Sequence, residues 1–218
     1  MIHIQKFTFN PFQENTFVLF DNTKEAVVID PGCNSSAENK VLTDFIEEKE
    51  LKVVKLLNTH CHIDHVFGNQ FIKDKYGVQL HMHELDVPTL KAAKLAADMY
   101  QIKPFIESEP DVFISEKDTI EFGESSLEIL FVPGHAPGHV AFLNRAQKFI
   151  ISGDVLFNGS IGRYDFPGCS KEDLINSIRN VLYKLEDDVT VYTGHGPETT
   201  IGHEKEYNPL VSATLVAI

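Results

Sequence analysis

The stretch Thr59-His60-Cys61-His62-Ile63-Asp64-His65 constrains this chain more than any other. It places three imidazoles and one carboxylate within six consecutive residues. Ahead of it, Leu51-Lys52-Val53-Val54-Lys55-Leu56-Leu57 reads as a buried strand, short, apolar and rich in branched side chains. Behind it, Gly68-Asn69-Gln70-Phe71-Ile72-Lys73 opens a helical pattern. The cluster therefore belongs to a strand-to-helix loop. His60 and His62 share one side of it, and the loop turns Asp64 and His65 elsewhere. Neutral imidazole and carboxylate are good ligands for zinc and similar first-row divalent ions. Two adjacent metal ions sharing these four groups suit the spacing.

The 218 residues are expected to form one domain, 1–218, large enough to bury a sizeable core. The net charge of −13, from 32 acidic and 19 basic residues, repels phosphate backbones and anionic membranes. No basic run offsets it, so neither nucleic acid nor membrane is an expected partner. No apolar run reaches the length of a membrane span. The N-terminal residues alternate like a strand rather than like a signal peptide. Cys33, Cys61 and Cys169 are odd in number and widely spaced, which does not suit a disulfide framework and points to a reducing cytoplasm.

Strands are expected at 2–9, 16–20 and 25–29. A helix follows, with Ser35 and Glu38 as a capping box and Val41, Leu42, Phe45 and Ile46 as its apolar face. Strands 51–57 and 79–82 and a helix over 84–101 complete the first half. The second half has strands at 119–122, 127–132, 140–143 and 149–152, then a long glycine-rich loop over 153–169, a length that is usually functional. A helix from Ser170 buries Leu174, Ile178, Val181, Leu182 and Leu185. Strand 189–193 and a short helix at 201–207 follow. Strands in two batches, each followed by helices, fit an α/β protein with two mixed sheets flanked by helices, a four-layer αββα sandwich. Periodicity alone leaves other mixed α/β arrangements open.

Three more candidate ligands each follow an apolar strand: His135 in Val132-Pro133-Gly134-His135, Asp154 in Ser152-Gly153-Asp154, and His195 in Thr193-Gly194-His195-Gly196. A glycine precedes each, letting the backbone turn sharply. His60, His62 and His135 can hold one ion. Asp64, His65 and His195 can hold the other, with Asp154 bridging, which leaves an open position on each and room for a shared water.

The set Thr-His-x-His-x-Asp-His, Pro-Gly-His, Ser-Gly-Asp and Gly-His-Gly, with Asp30 in Val-Ile-Asp-Pro-Gly, resembles the metallo-β-lactamase superfamily along nearly the whole chain. The resemblance implies the αββα fold and the same metal assignment, with two divalent ions, zinc first and iron or manganese as alternatives. Pro133-Gly134-His135-Ala136-Pro137-Gly138-His139 and Gly162-Arg163-Tyr164-Asp165-Phe166-Pro167-Gly168 are similar to the glyoxalase II-type, hydroxyacylglutathione hydrolase-like subgroup. That subgroup implies hydrolysis of a small-molecule thioester by a metal-bridging hydroxide, with Asp64 orienting the water. A thiolate leaving group, with a pKa of roughly 8.5, needs little proton help. Asp30 and His139 are expected to fix ligand tautomers and orientation, and Arg163 and Tyr164 to meet the substrate or to shape their loop. His65 and the lack of a ligand-positioned cysteine separate the chain from the best-known β-lactamases. Ala136 stands where the subgroup usually carries a hydroxyl. Between His195 and residue 218 there is no room for the longer helical extension of the glutathione-specific members, so the thioester class transfers better than glutathione itself.

The alternatives are a persulfide dioxygenase with one iron on His60, His135 and Asp154, a nuclease-like phosphodiesterase that the acidic charge disfavours, and a non-catalytic metal-binding module. His81 and His83 lack a following Asp-His pair and are expected outside any metal site. Cys61 is expected to point away from the ions, Cys169 to be a bystander, and His3 and His203 to lie at the surface. Oligomeric state is open; the apolar tail 210–218 can pack on the core or on a partner.

Overall fold

The computed structural model describes residues 1–212. The trace divides into two compact units, Met1–Ile114 with Ile120–Ser126, and Ser115–Thr119 with the chain from Leu127 onward.

In the first unit, β1 (His3–Phe9), β2 (Glu14–Phe20) and β3 (Glu25–Ile29) form an antiparallel meander. Helix α1 (Ser36–Glu48) then crosses to β4 (Lys52–Leu57), which pairs with β3 in parallel. A parallel pair needs such a crossover, because a tight turn can only reverse the chain. Two short helices, α2 (Ile63–Val66) and α3 (Asn69–Tyr76), lead to β5 (Leu80–Met82). A single 3₁₀ turn at Glu84–Asp86 and α4 (Val87–Met99) lead to β6 (Val112–Phe113). The sheet order is β1-β2-β3-β4-β5-β6. Its core joins Val18, Val28, Leu56 and Leu80 from the strands to Leu42, Ile46, Ile72 and Ala93 from the helices.

The capping box of α1 is present in both directions, Ser35 Oγ accepting from the Glu38 N–H and the Glu38 carboxylate accepting from the Ser35 N–H. Its apolar face is narrower than expected. Leu42 and Ile46 are buried, whereas Val41 is 51% exposed, one position around the helix from the packed stripe.

A second six-stranded sheet has the order β14-β13-β10-β9-β8-β7. Its strands are β7 (Thr119–Phe122), β8 (Ser125–Phe131), β9 (Val140–Asn144), β10 (Phe149–Gly153), β13 (Thr190–Thr193) and β14 (Thr199–Thr200). β10 and β13 are parallel; β8–β9, β9–β10 and β13–β14 are antiparallel. The segment 153–169 is not wholly irregular. It holds a hairpin, β11 (Leu156–Phe157) with β12 (Ser160–Ile161), turning through Asn158-Gly159, a pair suited to two-residue hairpins. Helix α5 (Lys171–Asn176) begins at Ser170, whose Oγ accepts from the Asp173 N–H, and runs on through a wide π turn at Ser177–Val181 and a 3₁₀ turn at Leu182–Lys184. Leu174, Ile178, Leu182 and Leu185 are buried in the second unit's core, and Val181 lies at its margin. Helix α6 (Ile201–Tyr207) starts from the Thr200 cap. Of the apolar tail, Leu210 is exposed and Val211 buried; 213–218 lie outside the described residues. No helix among the described residues is long and apolar enough to cross a membrane.

In both units, adjacent parallel strands end side by side. Ile29 pairs with Leu57, so Asp30 and Asn58-Thr59 leave the sheet together. Gly153 pairs with Thr193, so Asp154 and His195 do the same. Loops at the carboxyl ends of parallel strands are where α/β sheets place binding groups.

Candidate metal centre

In the first unit the histidine-rich segment is held by side chains that sequence patterns only partly reveal. Asp30 turns the chain out of β3 at φ 49°, a left-handed conformation that Asp tolerates better than most residues. Its Oδ1 accepts from the Thr59 N–H (2.7 Å), and its Oδ2 accepts from Thr59 Oγ1 (2.5 Å). The same Oδ2 lies 3.2 Å from His65 Nδ1. Because the Thr59 hydroxyl hydrogen goes to Asp30, Oγ1 is left to accept from His60 Nδ1, 3.1 Å away. His60 and His65 thus keep their protons on Nδ1 and present Nε2 lone pairs, the arrangement of metal-binding imidazoles oriented by a carboxylate. Their ring centroids lie 4.2 Å apart, and the His62 ring meets His60 edge-on at 4.9 Å. One ligand atom from each of Asp30, His60 and His65 falls within 4.8 Å of the others.

Asp64 and His65 are turned by a helix rather than by a loop, since both belong to the single turn of α2. Asp64 Oδ2 lies 3.8 Å from His65 Nε2, and the Asp64 carbonyl accepts from Asn10 Nδ2 at 3.0 Å. Cys61 points away, its thiol 3.7 Å from Met82 Sδ in the core, and burial pushes its pKa up.

Two buried acids behind this segment carry no sequence motif. Asp86 Oδ2 accepts from the Cys61 N–H (2.5 Å) and Oδ1 from Thr89 Oγ1 (3.0 Å), so Asp86 ties the start of α4 to the histidine-rich segment. Its only sequence signal is an Asp one residue before Val87-Pro88, which also fits an ordinary helix start. Glu14, at the start of β2, is fully buried with Oε1 3.8 Å from His65 Nδ1. Burial, seconded by the Asp30 and Asp64 carboxylates, pushes the Glu14 carboxyl well above its ordinary value, against the pull of His65 and Thr16.

The second unit contributes three donors from three strand ends. Asp154 Oδ2 lies between two imidazoles, 3.5 Å from His135 Nε2 and 3.4 Å from His195 Nε2. His135 Nδ1 donates to the Arg163 carbonyl at 2.8 Å, which again puts the imidazole lone pair on Nε2. His139 Nε2 accepts the Asp154 N–H at 3.1 Å, so it orients Asp154 through the backbone. Arg163 serves His135 through its carbonyl, while its guanidinium pairs with Asp165 at 3.0 Å and lies 4.1 Å from the Phe166 ring centroid. Tyr164 is 41% exposed. The Cys169 thiol donates to the His135 carbonyl at 2.8 Å. Gly134 and Gly153 do take positive φ before their donors, but Gly194 does not; Gly196, after His195, makes that turn instead. At Gly134 (φ 130°) a Cβ would run into the Leu174 backbone, so the close seat of α5 requires glycine there.

His81 binds the Gln79 carbonyl, and His83 accepts from the Leu85 N–H. Neither belongs to a metal-ligand group among the described residues.

This donor chemistry fits divalent first-row ions. Neutral imidazoles with Nδ1 held on carbonyl, hydroxyl or carboxylate partners, set beside carboxylates, match sites for zinc, iron or manganese.

The family model of the metallo-beta-lactamase superfamily matches residues 9–195. The chain belongs to the metallo-β-lactamase superfamily. A relative within it, hydroxyacylglutathione hydrolase GloC of Haemophilus influenzae, is 38% identical over 204 residues, covering 93% of this chain and 94% of its own. Among solved structures, TTHA1623 in a di-iron-bound form is 34% identical with a TM-score of 0.84, covering 94% of this chain and 98% of its own. The B3 metallo-β-lactamase BLEG-1 is 29% identical, also with a TM-score of 0.84, over 97% and 99% of the two chains. The superfamily's fold, two mixed sheets flanked by helices, is the fold of this chain.

Proposed function

We propose that this superfamily member is a metal-dependent hydrolase of small-molecule thioesters, of the hydroxyacyl-thiol class, working in the cytoplasm. The observation that carries the reading is the 38% identity to a hydroxyacylglutathione hydrolase over nearly the full length of both chains. Imidazoles set to present Nε2 support it.

In this reading His60, His62 and His135 would hold one ion, Asp64, His65 and His195 would hold a second, and Asp154 would be a ligand shared by both. Bound divalent ions supply Lewis acidity, lowering the pKa of water to about 7 and polarising a carbonyl. The rest of the chemistry belongs to the chain. Asp64, at the start of α2, would offer one carboxylate oxygen as a ligand and the other to orient the attacking water and take up its proton. Asp30 and the Arg163 carbonyl keep His65 and His135 in the Nδ1–H tautomer, so that both imidazoles remain donors through Nε2. Thiolate departure places no demand for a general acid on the chain.

Iron is the second reading of the metal, favoured by the di-iron form of TTHA1623. The likeness to BLEG-1 makes β-lactam hydrolysis the activity to set against thioester hydrolysis. The test is a side-by-side assay of purified protein on a hydroxyacyl-glutathione thioester, a hydroxyacyl thioester of a shorter thiol, a penicillin and a cephalosporin. Thioester turnover at least 100-fold above β-lactam turnover is expected. β-Lactam turnover exceeding that of both thioesters overturns the proposal.

A further inference from the structure

Helix α6 carries a carboxylate with no part in the reading above. Glu204 is fully buried. Its Oε1 accepts from Thr199 Oγ1 at 2.5 Å. Its Oε2 accepts from the Gly159 N–H at 3.0 Å and from Asn208 Nδ2 at 2.7 Å. The Tyr183 hydroxyl donates to the Glu204 carbonyl at 2.9 Å, fixing the helix itself. Burying a carboxylate is costly unless donors surround it, and here one donor comes from β14 and another from the tip of the β11–β12 hairpin.

Both segments adjoin His195. Thr199 closes the turn that carries His195, and Gly159 is at the tip of the β11–β12 hairpin. The hairpin sets the Phe157 ring against the His195 imidazole, centroids 6.2 Å apart and nearly perpendicular. Asn158 Nδ2 donates to the Glu198 carbonyl at 3.2 Å, and Asn208 Nδ2 donates to the Ser160 carbonyl at 3.1 Å, so turn, hairpin and helix are tied together. The front of the turn is anchored by the Gly194 N–H on the Gly153 carbonyl (2.9 Å) and by Thr193 Oγ1 on the His195 carbonyl (2.7 Å).

We propose that Glu204 is a positioning residue for His195. It clamps the back of the His195 turn through Thr199 and seats the hairpin whose Phe157 braces the imidazole. Its role deepens the reading of His195 as a ligand of the second ion and rests on it. A neutral residue of similar shape cannot replace it, because only a carboxylate accepts from all three donors at once.

The test titrates chelator-stripped protein with Zn2+ against a chromogenic competitor, for wild type, Glu204→Gln, Thr199→Val and Thr199→Ser. Thr199→Val removes only the hydroxyl and keeps a β-branched residue in β14, so it reports even if Glu204→Gln does not fold. Wild type is expected to take two equivalents. Glu204→Gln and Thr199→Val are expected to bind the first equivalent normally and the second about 10- to 100-fold more weakly, the range for loss of a ligand-orienting partner, with Thr199→Ser restoring it. Equal weakening of both equivalents in step with a fall in Tm means a structural role only and overturns the inference, as does wild-type affinity in Thr199→Val. Wild type taking fewer than two equivalents instead removes the ligand role of His195, and the clamp's role with it.

Discussion

The two units supply their donors by different means. In the first, the imidazoles come from one six-residue stretch, and buried side chains spread them apart: Asp30 takes Thr59 and His65, Thr59 takes His60, and Asp86 holds the Cys61 backbone. In the second, each donor stands alone at a strand end, and the backbone aims it. The Arg163 carbonyl fixes His135, the Asp154 N–H is fixed on His139, and left-handed glycines make the turns. A contiguous cluster needs extra side chains to orient rings that would otherwise share one direction. Dispersed donors lean more on strand register and on residues without Cβ, with His139 and Glu204 as the side-chain holds behind them. The first unit should therefore suffer most from deleting polar groups, and the second from adding a methyl.

The largest effect belongs to the side chain proposed to orient the attacking water. Asp64→Asn is expected to lower kcat/KM on a thioester by about 10³-fold with little change in Tm, since the side chain is partly exposed. A comparable fall in Tm would make Asp64 part of the scaffold instead. Next comes the scaffold of the first unit. Asp30→Asn is expected to cost about 2–4 kcal/mol in denaturant unfolding, because it strands or inverts several buried hydrogen bonds. It should also weaken metal binding about 10- to 100-fold; a neutral result would break the contrast.

For the second unit, Gly134→Ala is expected to destabilise by about 2–3 kcal/mol, from positive φ and contact with Leu174. Gly77→Ala, at φ 66° with open space around it, is expected to cost about 1 kcal/mol and leave activity intact. Equal costs would mean that conformation alone, not the seat of α5, sets the penalty. A further effect is a control remote from the donors. Burial would raise the Asp21 carboxyl, but hydrogen bonds from Thr23, Glu124 and Ser125 outweigh it and lower its pKa from 3.8 to about 2. The folded value lies below the unfolded one. Its contribution, about 1–2 kcal/mol, is therefore present above pH 3.8 and fades as pH falls towards 2. Urea melts across that window should show the loss in wild type and less of it in Asp21→Asn.

Much of the fold was legible because its signals are local. Strand β3 runs from Glu25 to Ile29 as the apolar run implies, the Ser35–Glu38 box opens α1, and α6 spans Ile201–Tyr207 as expected. The donor loops were legible because a glycine or a histidine pair interrupts an apolar strand at each. Parts that depend on tertiary contacts were not. The Asn158-Gly159 hairpin signal was submerged in a glycine-rich loop with only two strand residues on either side. Val41 follows the helical period, yet the packed stripe is too narrow to cover it. Asp86, Glu14 and Glu204 look like surface acids in sequence, and only their buried partners reveal their roles.

Seven side chains, His60, His62, Asp64, His65, His135, Asp154 and His195, would hold the pair of divalent ions that the proposed thioester hydrolysis requires. The most direct measurement is elemental analysis of the purified protein, with thioester turnover followed before chelation, after chelation and after adding metal back. Two equivalents of zinc, iron or manganese, activity lost on stripping and recovered as the second equivalent returns, is the predicted result. Full turnover by metal-free protein would contradict it.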